Sequence, residues 1–109
     1  MNAARLEKAA PLFAALGDPT RLKLVARLCA AGPSSISQLT GGATVTRQAI
    51  TKHLRALELA GVAKSERVGR EVLWELETQK LAEVQQHLDQ ISKEWDARIA
   101  RLRAFVEKP

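Results

Sequence analysis

From Leu12 to Gly61 the apolar residues recur at intervals of three and four, the period of a helix face. Leu12, Phe13 and Leu16 anchor a short first element, which Gly17 ends, and Pro11 and Gly17 break up the stretch "MNAARLEKAAPLFAAL". Asp18 then opens a second helix. Its carboxylate can accept from a free N–H of the first turn, and Pro19 follows at a position where a missing N–H costs nothing. Leu22, Val25, Ala26 and Leu28 or Cys29 share this helix's spacing, and Gly32-Pro33 stop it. "SSISQLTGG" reads as a short third helix with a serine cap, Ile36 and Leu39 turned inward, and Gly41-Gly42 at its end. The fourth helix is "TRQAITKHLRALELAG". Thr46 is its N-cap, Ile50, Leu54 and Leu57 form a narrow stripe, and Gly61 is the left-handed residue that terminates it.

After Gly61 the period drops to two. "VAKSERV" and "EVLWEL" flank Gly69-Arg70, and Val72, Trp74 and Leu76 alternate with Leu73 and Glu75 as a half-buried strand requires. This predicts a hairpin with Gly69 at its tip. From Thr78 to Glu107 the helical pattern returns without Gly or Pro. Leu81, Val84, Leu88, Ile91, Trp95, Ile99, Leu102 and Val106 approximate a heptad seam with one stutter. Such a helix is roughly 40 Å long at 1.5 Å per residue, more than so small a domain can cover. A homodimer is the simplest way to bury the seam, with Leu12 and Phe13 beside it in the interface.

The order helix, helix, short helix, helix, hairpin, long helix predicts a mostly α fold with a small β-hairpin, a winged helix-turn-helix. One domain spans 1–109. Its helical core is 12–61, with the helix-turn-helix at about 35–61, its wing is 62–77 and its dimerisation helix is 78–107.

Charge sharpens this picture. The 109 residues carry a net +5. Between Arg47 and Arg70 six bases face two acids, so that segment alone holds +4, whereas bases and acids nearly cancel from Glu71 onward. A basic excess confined to one segment fits a polyanion-binding surface. The major groove of DNA admits a helix and presents a distinct pattern of donors and acceptors. In a recognition helix over 47–60, Gln48 can pair with adenine, and Arg47 or Lys52 can donate to guanine. Thr46 and Thr51 can reach a base or a phosphate, and Arg55 and His53 can hold phosphate. Lys64, Arg67 and Arg70 on the wing can reach the backbone or the minor groove. An ordinary solvated helix face is the alternative for these residues. The absence of acids between Arg47 and Leu57 and the glycine-tipped wing favour nucleic acid. The single Cys29 allows no intrachain disulfide and reads as a small buried hydrophobe. No signal-peptide core or membrane-length apolar run is found, which places the chain in the cytosol.

The sequence resembles the ArsR/SmtB family of dimeric bacterial winged-helix regulators. The likeness lies in "LFAALGDPTRLKLVARL", "TRQAITKHLRALELAGV" and "RVGREVLWEL" and covers nearly the whole chain. The family's usual Ser-x-His-Leu stands here as Thr51-Lys52-His53-Leu54, and the aromatic common on its second wing strand is Trp74. The wording is similar to a branch often encoded beside START-like proteins. The resemblance implies a homodimer on a near-palindromic DNA operator, most simply as a repressor. It also implies metal sensing in many members, but the ligands are missing here. The third helix reads Ser-Ile-Ser-Gln-Leu without a thiol, and the last helix has only His87 with Glu83 and Asp89 nearby. A zinc site needs three or four good ligands. No metal, cofactor or catalytic residue is therefore expected, and no phosphate loop or nucleophile elbow suggests an enzyme. The effector is not readable from these residues. Two alternatives remain: a winged-helix protein-interaction module, and a regulator with a small-molecule or metal site at its dimer interface.

Overall fold

Helix α1 (Ala3–Leu16) opens the computed structural model, which describes residues 2–41 and 44–107. Asn2 caps it, accepting from the Arg5 N–H at 2.9 Å. This helix is longer than the short element expected, because Pro11 does not break it. Ala9, Leu12 and Ala15 lie buried on both sides of the proline, and Pro11 itself is exposed. The lost backbone bond therefore falls where water can serve the freed carbonyl, while burial holds the helix together.

Helix α2 (Pro19–Ala31) starts as expected, with Asp18 accepting from the Arg21 N–H at 3.0 Å. Its inward stripe differs from the expectation. Leu24 and Leu28 are buried and Val25 packs against them, whereas Leu22, Ala26 and Cys29 are exposed. The reading of Cys29 as a buried hydrophobe is thus corrected. The helix is apolar on two faces at once, so periodicity cannot choose between them. Packing against the sheet and the fourth helix decides the face.

Strand β1 (Ser34–Ser35) has no counterpart in the sequence reading. Ser35 then caps α3 (Ile36–Thr40) in a reciprocal box. Its hydroxyl accepts from the Gln38 N–H at 3.2 Å, and its own N–H donates to Gln38 Oε1 at 2.8 Å. Gly42, expected to help end this helix, lies outside the described residues. Helix α4 (Arg47–Leu59) is capped by Thr46 and buries Ile50, Leu54 and Leu57, as its stripe predicts. Gly61 follows at φ +81°, a conformation that a side chain would strain.

Strands β2 (Ala63–Val68) and β3 (Glu71–Leu76) form the hairpin. Gly69 takes φ +65° as the first of its two turn residues, the glycine-first pattern of a type II′ turn. β3 lies between β2 and β1 in an antiparallel sheet, with Trp74 opposite both Ser65 and Ser34. Trp74 is 1% exposed and completes a core with Leu12, Leu24, Leu28, Leu39, Ile50, Leu54, Leu57 and Val62.

Helix α5 (Thr78–Glu107) leaves this core after two turns. Leu81 and Val84 pack against it, but from Leu88 onward the seam faces solvent, reaching 73% exposure at Val106. The molecule is consequently 71 Å long and only 29 by 20 Å across. No helix among the described residues is long and apolar enough to cross a membrane.

Candidate nucleic-acid interface

Two arginines of α2 fix the helices that carry the candidate surface. Arg27 reaches the end of α3, donating from Nη1 to the Leu39 carbonyl at 2.5 Å and from Nη2 to those of Gln38 and Gly41 at 3.1 and 3.3 Å. A helix C-terminus leaves carbonyls unpaired and carries partial negative charge, so a cation from a neighbouring helix serves as its cap. Arg21 does the same for α1, with Nε donating to the Ala15 carbonyl at 2.6 Å and Nη2 to that of Ala14 at 3.4 Å. Its Nη1 also lies 3.5 Å from His53 Nδ1. These contacts set the pose of α3 against α2 and tie α4 to the α1–α2 corner.

The N-terminal half of α4 faces outward. Arg47, Gln48 and Lys52 are exposed and make no side-chain contact among the described residues. Two threonines beside them are already engaged. Thr46 Oγ1 accepts from the Ala49 N–H at 3.1 Å, and Thr51 Oγ1 donates to the Arg47 carbonyl at 2.8 Å. Together with Ala49 and Arg55, Thr46, Gln48, Thr51 and Lys52 line a shallow concavity.

Three expected contact residues are otherwise employed. His53 Nδ1 points at Asp18, 3.8 Å from its Oδ2, as well as at Arg21. It is a packed imidazole at the α2 corner, not a member of the outward set. Asp18's carboxyl lies below its ordinary range, chiefly because it accepts from the Arg21 backbone N–H. Lys64 sits at the foot of the wing between Glu75 at 3.4 Å and Glu77 at 3.8 Å, so its charge is compensated. Arg55 pairs with Glu58 at 3.0 Å and lies over the Trp74 ring at 5.3 Å. At the wing tip Arg67 and Arg70 are exposed, and Arg67 makes only a long 3.5 Å bond to the Gly69 carbonyl. The cationic set therefore narrows to Arg47 and Lys52 on α4 and Arg67 and Arg70 on the wing.

Glu58 is the side chain that the sequence reading passed over. Its Oε2 accepts from Ser65 Oγ at 2.6 Å and its Oε1 from Arg55. The Ser65 hydroxyl, and then Arg55, hold its carboxyl below the ordinary range against the opposing effect of burial. One signal could have found it. An acid in the last turn of a helix opposes the helix dipole and invites a tertiary explanation.

The residues assigned to a subunit interface divide in two. Leu12 has 5% of its surface left and is consumed by the chain's own core. Phe13 is half-buried, edge-on to His87 with ring centroids 6.3 Å apart. Leu88, Ile91, Trp95, Ile99, Leu102 and Val106 are exposed. Among the described residues no three His, Cys, Asp or Glu side chains converge as metal ligands would.

Known proteins share this architecture. A helix-turn-helix domain model matches residues 16–66. The HTH-type transcriptional repressor SmtB of Mycobacterium tuberculosis is 34% identical over 79 residues, 72% of this chain, and the chain spans 58% of that repressor's length. An ArsR-like transcriptional regulator from Rhodococcus sp. RHA1 superposes with a TM-score of 0.82 at 36% identity, covering 98% of this chain and 100% of that one. A possible ArsR-family regulator of Mycobacterium bovis, solved as a homodimeric winged helix-turn-helix DNA-binding domain, shares the fold with a TM-score of 0.66 at 21% identity, covering 84% of each chain. This chain belongs to the ArsR/SmtB family of winged helix-turn-helix transcriptional regulators.

Proposed function

We propose that the chain works as a homodimer in the cytosol, binding a near-palindromic duplex operator and repressing transcription by excluding RNA polymerase. The observation that carries this reading is the division of labour among the cations. Arg21, Arg27, Arg55 and Lys64 are bonded to carbonyls or carboxylates, while Arg47, Lys52 and Arg70 stand exposed on the two elements that a winged helix presents to DNA. Gln48 stands among them with a free amide, suited to an adenine edge. The exposed seam of α5 supports pairing of two chains. Two recognition helices would then read half-sites about 34 Å apart, or a multiple of it. The Mycobacterium bovis neighbour is described as a homodimer, which accords with this reading.

The test is selection of duplexes from a random pool, followed by binding across a salt series. Arg47, Lys52, Arg67 and Arg70 in two copies allow a log–log salt slope no steeper than about −7. Lys52→Ala should weaken binding to every sequence and flatten the slope by about one, and Gln48→Ala should relax preference at one base pair. Affinity indifferent to salt and to both substitutions would refute the reading.

A further inference from the structure

Glu58 sits where two electrostatic effects disfavour an acid. It lies in the last turn of α4, at the negative end of the helix dipole, and on a helix otherwise suited to phosphate. Both its oxygens are used, one by Ser65 of β2 and one by Arg55. Arg55 in turn covers Trp74 of β3. Ser65 and Trp74 are direct partners across the hairpin, so the two contacts grip both wing strands at one rung. From that rung the strand runs four residues to Gly69, a lever of about 13 Å at 3.3 Å per residue. A tilt of about 10° there moves the tip by roughly 2 Å, enough to break a phosphate hydrogen bond.

We propose that Glu58 is a positioning residue for DNA binding, setting through Ser65 and Arg55 the angle at which the wing tip meets the duplex. The inference rests on the DNA-binding reading above. It opposes simple charge arithmetic, in which removing an acid from a cationic face tightens binding.

The experiment measures affinity and salt slope on the duplex that the wild-type chain selects from a random pool, together with amide hydrogen exchange in the free protein. Glu58→Ala and Ser65→Ala should each weaken binding about tenfold and flatten the slope by about one, as when a wing phosphate contact is lost, although neither side chain touches DNA. Glu58→Gln keeps an acceptor for Ser65 and should bind at least as tightly as wild type. In the free protein, Glu58→Ala should speed exchange in β2 and β3 relative to the buried turns of α4. Tighter or unchanged binding by Glu58→Ala, with an unchanged slope, overturns the proposal. If the wild-type chain selects no duplex, the DNA reading falls and hairpin exchange alone decides whether Glu58 holds the wing: faster exchange in Glu58→Ala supports it, unchanged exchange refutes it.

Discussion

Replacing Arg21 by methionine keeps most of the side chain's stem and removes every donor. The carbonyl of Ala15 loses its 2.6 Å partner, and that of Ala14 keeps only the Gly17 N–H, so the end of α1 is left with one unserved acceptor. Hydrogen bonds from a charged donor contribute about 1.5–3 kcal/mol each when well made. The second bond, at 3.4 Å, is near the geometric limit and adds little. We therefore work with about 2 kcal/mol in total. An unfolding entropy of about 2.1 cal/mol/K per residue gives about 0.23 kcal/mol/K for this chain, so Tm should fall by roughly 9 °C. The assay is thermal unfolding followed by circular dichroism, at one fixed protomer concentration because association contributes to Tm. The salt slope of DNA binding should not change. An unaltered Tm with a slope flatter by about one would show Arg21 to be a phosphate ligand and refute the capping argument.

Arg27→Ala should lower stability by about 2 kcal/mol through the carbonyls of α3, and Arg27→Lys should recover only part of it, because one ammonium cannot span three acceptors; denaturant titration measures both. Cys29→Ser should change stability by less than about 0.5 kcal/mol in the same titration, since the side chain is exposed. Trp95→Glu, on the solvent-facing seam, should shift the sedimentation equilibrium toward monomer while leaving the far-ultraviolet spectrum of α1–α4 intact. Asp18 and Glu58 both have folded-state values lowered from the ordinary 3.8 and 4.5. Their contribution is complete above those values and is lost as pH falls through them toward the folded-state values. Acid titration of Asp18→Asn and Glu58→Gln should therefore show a shallower loss of stability below about pH 4.5 than wild type.

The helix caps, the α4 stripe and the hairpin were legible because each is local. Thr46, Ile50, Leu54, Leu57, Gly61 and Gly69 act within one turn or one strand, and their residue types announce the role. What the sequence hid is set by residues distant along the chain. Leu22 and Leu24 are both spaced for burial on α2, and only packing against β3 and α4 selects Leu24. β1 is too short to show a period and exists because Trp74 and Leu73 offer it backbone partners. Charge misled in the same way. Arg55 and Lys64 read as free cations until the fold brings Glu58, Glu75 and Glu77 beside them. His53, four residues after Ala49 on α4, reads as part of the outward set, and the α2 corner turns it inward.

The overhang of α5 makes concentration a variable of the fold itself. Past Leu88 the helix has no tertiary partner in its own chain, and isolated helices of this length are marginal in water. In dilute solution that half frays, and its ordering is deferred until two chains meet. Folding of the last turns and assembly of the regulator are then a single equilibrium, so copy number sets the fraction of chains that can engage two half-sites at once. A cell could weaken this protein without altering any DNA-facing residue, simply by diluting it through growth.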